Sequence, residues 1–104
     1  MEREDTVDSL EFVEPLGTEE AKTLIRKILR EGTFRFVQHA KDRAKERTLD
    51  TQDMVNVLRC GVVEEPEQNL EDGTYRYRVR TDRMTVVIAF RSPTELVVLT
   101  GWRN

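Results

Sequence analysis

The chain has one cysteine and one histidine among its 104 residues, and that scarcity excludes several chemistries at once. Cys60 has no partner for an internal disulfide, which suits a reducing cytoplasm. One imidazole and one thiol are too few ligands for a zinc cluster, so no metal site is expected. There is no glycine-rich phosphate loop and no dinucleotide fingerprint, so no cofactor is expected either. No serine stands in a recognisable nucleophile motif, and Cys60, beside Gly61 at a helix end, reads as a small buried residue. No apolar run approaches the roughly 20 residues of a membrane span. The first residues are acidic and lack the basic and apolar regions of a secretory signal. The expectation is a soluble, cytoplasmic protein with no membrane partner.

What the chain does have is charge. Charged residues make up 36% and apolar residues 38%, yet the apolar ones come in periodic blocks, which argues for a folded domain rather than disorder. The charge is unevenly placed. Residues 1–20 hold eight acids against Arg3 alone, a net −7, and the remainder holds sixteen bases and twelve acids, a net +4. A mildly basic body can attract phosphates. Residues 1–17 read as an acidic, irregular leader, either a solvated tail or a segment that masks a basic face. Residues 18–104 read as a single domain of the usual size.

Periodicity places the elements. Thr18 reads as an N-cap followed by Glu19 and Glu20 in the first turn. Leu16 is placed to staple back onto that helix. Leu24, Ile25, Ile28 and Leu29 recur at helical spacing up to Gly32, as core or as an interface, so a helix is expected over about 18–31. Phe34 and Phe36 alternate in a short extended lead-in. A second helix is expected over 38–47, until Thr48 and Leu49 break the run. A third starts at an Asp50 N-cap and ends before Gly61. After Gly61, a strand from Val62 is expected to stop at Pro66, and Glu67 to Gly73 reads as a polar loop closed by Asp72-Gly73. Tyr75, Tyr77 and Val79 alternate with Arg76, Arg78 and Arg80. Met84–Phe90 is nearly all apolar and reads as a central strand, followed by a turn at Ser92-Pro93-Thr94 and a last strand. The fold class expected is α+β, with two or three helices on one face of a three- to five-stranded antiparallel sheet.

Three constellations could carry chemistry. His39, Arg43 and Arg47 stand at i, i+4 and i+8 and form one row along a helix. Arginine binds phosphate oxygens bidentately, and imidazole moves protons near neutral pH; alternatively, the same residues serve as a cap and as surface ion pairs. Arg76, Arg78 and Arg80 form a cationic stripe of roughly 13 Å on one strand face. That stripe suits RNA, or equally a sheet face kept from aggregating. Tyr75 and Tyr77 are expected to point inward, although one could serve as a stacking platform. Thr100, Trp102 and Arg103 either edge a cleft, or Trp102 plugs the core and Arg103 is solvated.

The stretch Phe36-Val37-Gln38-His39-Ala40-Lys41-Asp42-Arg43-Ala44-Lys45-Glu46-Arg47 reads F-x-x-H-A-x-x-R-x-x-E-R. With Asp53-Met54, Gly61, Tyr75-Arg76-Tyr77 and Leu99-Thr100-Gly101-Trp102-Arg103, it resembles a family of small bacterial domains of unknown function linked to the RelE/ParE-like toxins. The resemblance covers about residues 33–103. Members commonly carry Met where this chain has Ala44, and Gly-Ile where it has Thr48-Leu49. The resemblance implies a RelE-like α+β fold and a metal-independent ribonuclease-type toxin. His39, Arg43 and Arg47 would be its catalytic group, and Tyr75, Arg76, Arg78, Thr100 and Arg103 would hold substrate or phosphate. It further implies RNA and a cognate antitoxin as partners, with a monomer or homodimer as the working unit. The alternative is a non-catalytic binding module of the same fold for a protein or nucleic acid.

Overall fold

In the computed structural model of the chain, residues 12–104 are described. The leader expected over 1–17 therefore lies outside the described residues up to residue 11, and residues 12–17 form no helix or strand. Helix α1 (Thr18–Glu31) is capped by Gly17, one residue before the expected Thr18, because Glu20 reaches back to accept the Gly17 N–H at 3.0 Å. Ala21, Ile25 and Ile28 are buried along its inner face, and Leu24 and Leu29 pack partly buried on the same core. The apolar row is thus core within the chain.

Strand β1 (Thr33–Phe36) leads into helix α2 (Gln38–Glu46), and helix α3 (Thr51–Cys60) follows. Asp50 caps α3 as expected, its carboxylate accepting the Gln52 N–H at 2.9 Å. Met54, Val57, Leu58 and then Gly61 are buried along this helix. That stripe leaves Cys60 to one side, so it is exposed rather than the buried residue expected.

The remaining strands are β2 (Val62–Val63), β3 (Glu67–Gln68), β4 (Tyr75–Arg80), β5 (Met84–Ser92) and β6 (Glu95–Arg103). The sheet runs β1-β6-β5-β4-β2, with β3 also on β4. The expectation of a three- to five-stranded antiparallel sheet is corrected to a mixed sheet of six strands. β4, β5 and β6 form the antiparallel meander, but β1 pairs parallel with β6, with Thr33 opposite Glu95 and Phe36 opposite Val98. β1 follows a helix rather than a hairpin turn, so its connection imposes no antiparallel pairing. The loop expected over Glu67–Gly73 is also shortened. Pro66 interrupts the edge strand, and pairing resumes at once with Glu67 opposite Arg76 and Gln68 opposite Tyr75. Gly73 (φ 74°) supplies the left-handed residue of the turn that follows.

Helices α1 and α3 cover one face of the sheet, where Ile25, Met54, Leu58, Tyr77, Val86, Ile88, Leu96 and Val98 make the core. The segment before α1 closes that core from the side. The Phe12 ring meets Phe90 edge-on at 6.1 Å, and Phe90 meets Tyr77 at 5.1 Å. The Tyr77 hydroxyl accepts the Leu16 N–H and donates to Glu14 Oε2, both at 3.0 Å. Burial pushes the Glu14 carboxyl and the Tyr77 phenol above their ordinary values. Among the described residues no helix is long and apolar enough to cross a membrane.

Candidate functional site

Helix α2 does not join α1 and α3 on the covered face. It takes up the line of β1 beside β6, where the Val37 N–H donates to the Val98 carbonyl at 3.1 Å before the chain turns helical. Ala40 and Ala44 face the core, and small side chains there let the helix sit close to the strand. His39, Arg43 and Arg47 are exposed on another side of the same helix. Its end is fixed by a Schellman motif, with the Thr48 N–H on the Lys45 carbonyl at 3.2 Å and the Leu49 N–H on the Ala44 carbonyl at 2.7 Å. Thr48 takes the left-handed conformation this motif requires (φ 57°), a place usually given to glycine.

An irregularity in β6 sets the rest of the site. Val87 pairs with Thr100, but Ile88 pairs with Val98, so Leu99 is an extra residue opposite no partner. Simple alternation from the buried Val98 would turn Thr100 and Trp102 toward the helices and Gly101 away. The bulge reverses this. Gly101 lies opposite Val86 on the core face, where a Cβ would stand 2.6 Å from Met54 Cε. Thr100 and Trp102 lie opposite Val87 and Thr85 on the other face, beside Arg76, Arg78 and Arg80 of β4.

The result is an open groove of about 530 Å³ between α2 and the uncovered sheet face. Val37, His39, Arg43 and Arg47 form one wall, and Val87, Leu99, Thr100, Trp102 and Arg76 form the floor and far side. Of the residues expected from sequence, His39, Arg43, Arg47, Arg76 and Thr100 therefore meet in one place. Arg78 borders it, its guanidinium 5.9 Å from the centre of the Trp102 ring. Tyr75 and Arg103 do not join them. Tyr75 packs partly buried against the core on the helix side. Arg103 turns to the end of α2, where Nη2 donates to the Thr48 carbonyl at 3.1 Å.

The cations are unequally engaged. Arg47 Nη1 donates to the Gly101 carbonyl at 2.7 Å. Arg43 Nε donates to His39 Nε2 at 3.4 Å, and its Nη1 lies 3.6 Å from Glu46 in an exposed pair. Arg78 is 3.5 Å from Glu67, and Arg80 pairs with Glu64. Arg76 forms no hydrogen bond or ion pair among the described residues. Exposed pairs of this kind are worth about 0–1 kcal/mol and exchange easily with solvent or a ligand anion. The His39 ring lines the groove, with its Nε2 lone pair engaged by Arg43. The apolar part of the lining, Val37, Val87 and Leu99, was not legible in the sequence, since each reads there as ordinary core or lead-in.

Comparison with family models, with curated proteins and with solved structures gave no match for this chain.

Proposed function

We propose that the groove binds single-stranded RNA, taking phosphates at Arg43 and Arg76 and stacking a base against Trp102. One observation carries this reading: a half-exposed aromatic ring lies in the same open groove as a histidine and an arginine that forms no hydrogen bond or ion pair among the described residues. Aromatic faces and cations interleaved in this way suit single strands, whose bases are free to stack. A net +4 outside residues 1–20 supports it, as does the resemblance carried by the His39-Arg43-Arg47 row.

Trp102 is the only tryptophan in the chain, so its fluorescence reports binding directly. Titration with an oligoribonucleotide at low salt should quench it, and affinity should fall steeply as salt rises. A flat fluorescence signal together with no salt-dependent retention would remove the RNA reading in favour of a protein ligand.

The His39–Arg43 contact favours a second reading, metal-independent cleavage of that RNA. With Arg43 turned from His39 to the phosphate, His39 Nε2 would be free to accept the proton of a ribose 2′-OH as its oxygen attacks the adjacent phosphorus. Arg43 would stabilise the added negative charge, and the departing 5′-oxygen would take a proton from water. This is the toxin-like activity that the resemblance implies, with a cognate antitoxin as the matching partner. His39→Ala should abolish cleavage while leaving Trp102 quenching intact. If the wild-type protein binds RNA without cutting it, the domain is a binding module.

A further inference from the structure

The arginines of β4 do not end at the groove. Arg76, Arg78 and Arg80 project from the open face at alternate positions, about 6.6 Å apart along the strand. That separation is comparable to the distance between successive phosphates of an extended single strand. Arg76 already belongs to the groove. Arg78 and Arg80 lie on the same line, and each is met by one carboxylate from the neighbouring edge, Glu67 on Arg78 and Glu64 on Arg80.

We infer that the nucleic-acid path continues out of the groove along β4. Arg78 and Arg80 take further phosphates, and Glu67 and Glu64 occupy those positions until a ligand displaces them. This rests on the proposed RNA reading and extends it to the length and path of the strand. The two carboxylates are easily displaced. Their pairs are exposed, with side-chain exposures between 37% and 64%. The strand that carries them is fragmentary, with only two residues of β2 and two of β3 in register with β4 on either side of Pro66. Arg78 also touches Trp102, so a phosphate at Arg78 sits next to the base stacked on that ring. The path has a direction as well. Beyond Arg76 the hairpin carries Glu71 and Asp72, and the Thr74 hydroxyl and N–H hold the Asp72 carboxyl below its ordinary value. Those anions turn the strand from Arg76 toward α2 and away from the hairpin tip.

The test compares a dinucleotide, which fits the groove alone, with an oligoribonucleotide of about eight nucleotides, a usual site size for such surfaces. The double variant Glu64→Gln, Glu67→Gln should bind the longer RNA roughly threefold to tenfold more tightly, within the span that two exposed ion pairs can account for. Its affinity should also fall more steeply with salt, by up to about 0.7 in log–log slope per phosphate gained. Dinucleotide affinity should stay unchanged. Arg78→Ala with Arg80→Ala should erase the advantage of the longer RNA. A charge-matched control on the helical face, Glu19→Gln with Asp53→Asn, should reproduce none of this. If the Gln variant matches the wild type on both lengths while Arg43→Ala weakens both, the groove stands and its extension is overturned. If neither protein binds either RNA at low salt, both readings fall.

Discussion

Arg47 and Gly101 are joined by a 2.7 Å hydrogen bond from the guanidinium to the glycine carbonyl, which ties the end of α2 to β6. The arginine in the middle of the helix row, Arg43, is instead open to the groove. The two should therefore fail differently. Arg47→Ala should cost about 1.5–3 kcal/mol in urea denaturation, as expected for a bond from a charged donor. Arg43→Ala should leave stability within about 0.5 kcal/mol and act on RNA binding, read from Trp102 fluorescence.

Gly101 itself should tolerate no side chain. A Cβ there meets Met54 Cε at 2.6 Å and the Thr85 carbonyl at 3.2 Å. Gly101→Ala should cost about 1–3 kcal/mol through overpacking. Because Met54 is the closest obstacle, combining Gly101→Ala with Met54→Ala should cost less than the sum of the single changes, a coupling that a double-mutant cycle measures.

Thr48 offers the opposite opportunity. It is β-branched and held at φ 57°, a conformation that costs a residue with a Cβ roughly 1–2 kcal/mol. Thr48→Gly should raise stability by about 1 kcal/mol, visible as a higher Tm, because the backbone bonds of the Schellman motif do not involve the threonine side chain.

Tyr77 links the segment before α1 to the core. Tyr77→Phe leaves the buried Leu16 N–H without its acceptor and should cost about 1–3 kcal/mol in denaturant. The adjoining Glu14 has a pH signature. Burial raises its folded-state value above the ordinary 4.5, with the Tyr77 hydrogen bond pulling the other way. The folded chain therefore holds that proton more tightly than the unfolded one. The contribution is full below the unfolded value and is lost as pH rises through the folded value. Glu14→Gln should remove that decline above about pH 4.5, leaving the variant slightly more stable than wild type at neutral pH. Glu14 is only partly buried, so the difference should be small; matched Tm values across the acid range would detect it.

Much of this was legible from residue order. Helical spacing from Leu24 to Leu29 located α1. Asp50 and Gly61 bracketed α3, and the alternation of Tyr75, Tyr77 and Val79 with three arginines placed β4 and its two faces. These are local properties, set by backbone capping and by the periods of 3.6 and 2 that bury one side of an element. The row His39, Arg43 and Arg47 was equally visible, because four residues make about one helical turn.

What residue order could not supply was where those elements meet. Two of the expected site residues, Tyr75 and Arg103, fall away from the groove, and the two arginines of the helix row have different tasks. Parallel pairing of β1 with β6 depends on contacts far apart in the chain, and it is this pairing that sets α2 alongside β6. The bulge at Leu99 carries no local signal, since one extra residue is recognised only against the partner strand that lacks it. Sequence alone determined that a histidine, a row of arginines and a Thr-Gly-Trp stretch exist on regular elements. Tertiary structure decided that they share a groove, because a one-residue shift in β6 moved Thr100 and Trp102 to the open face of the sheet.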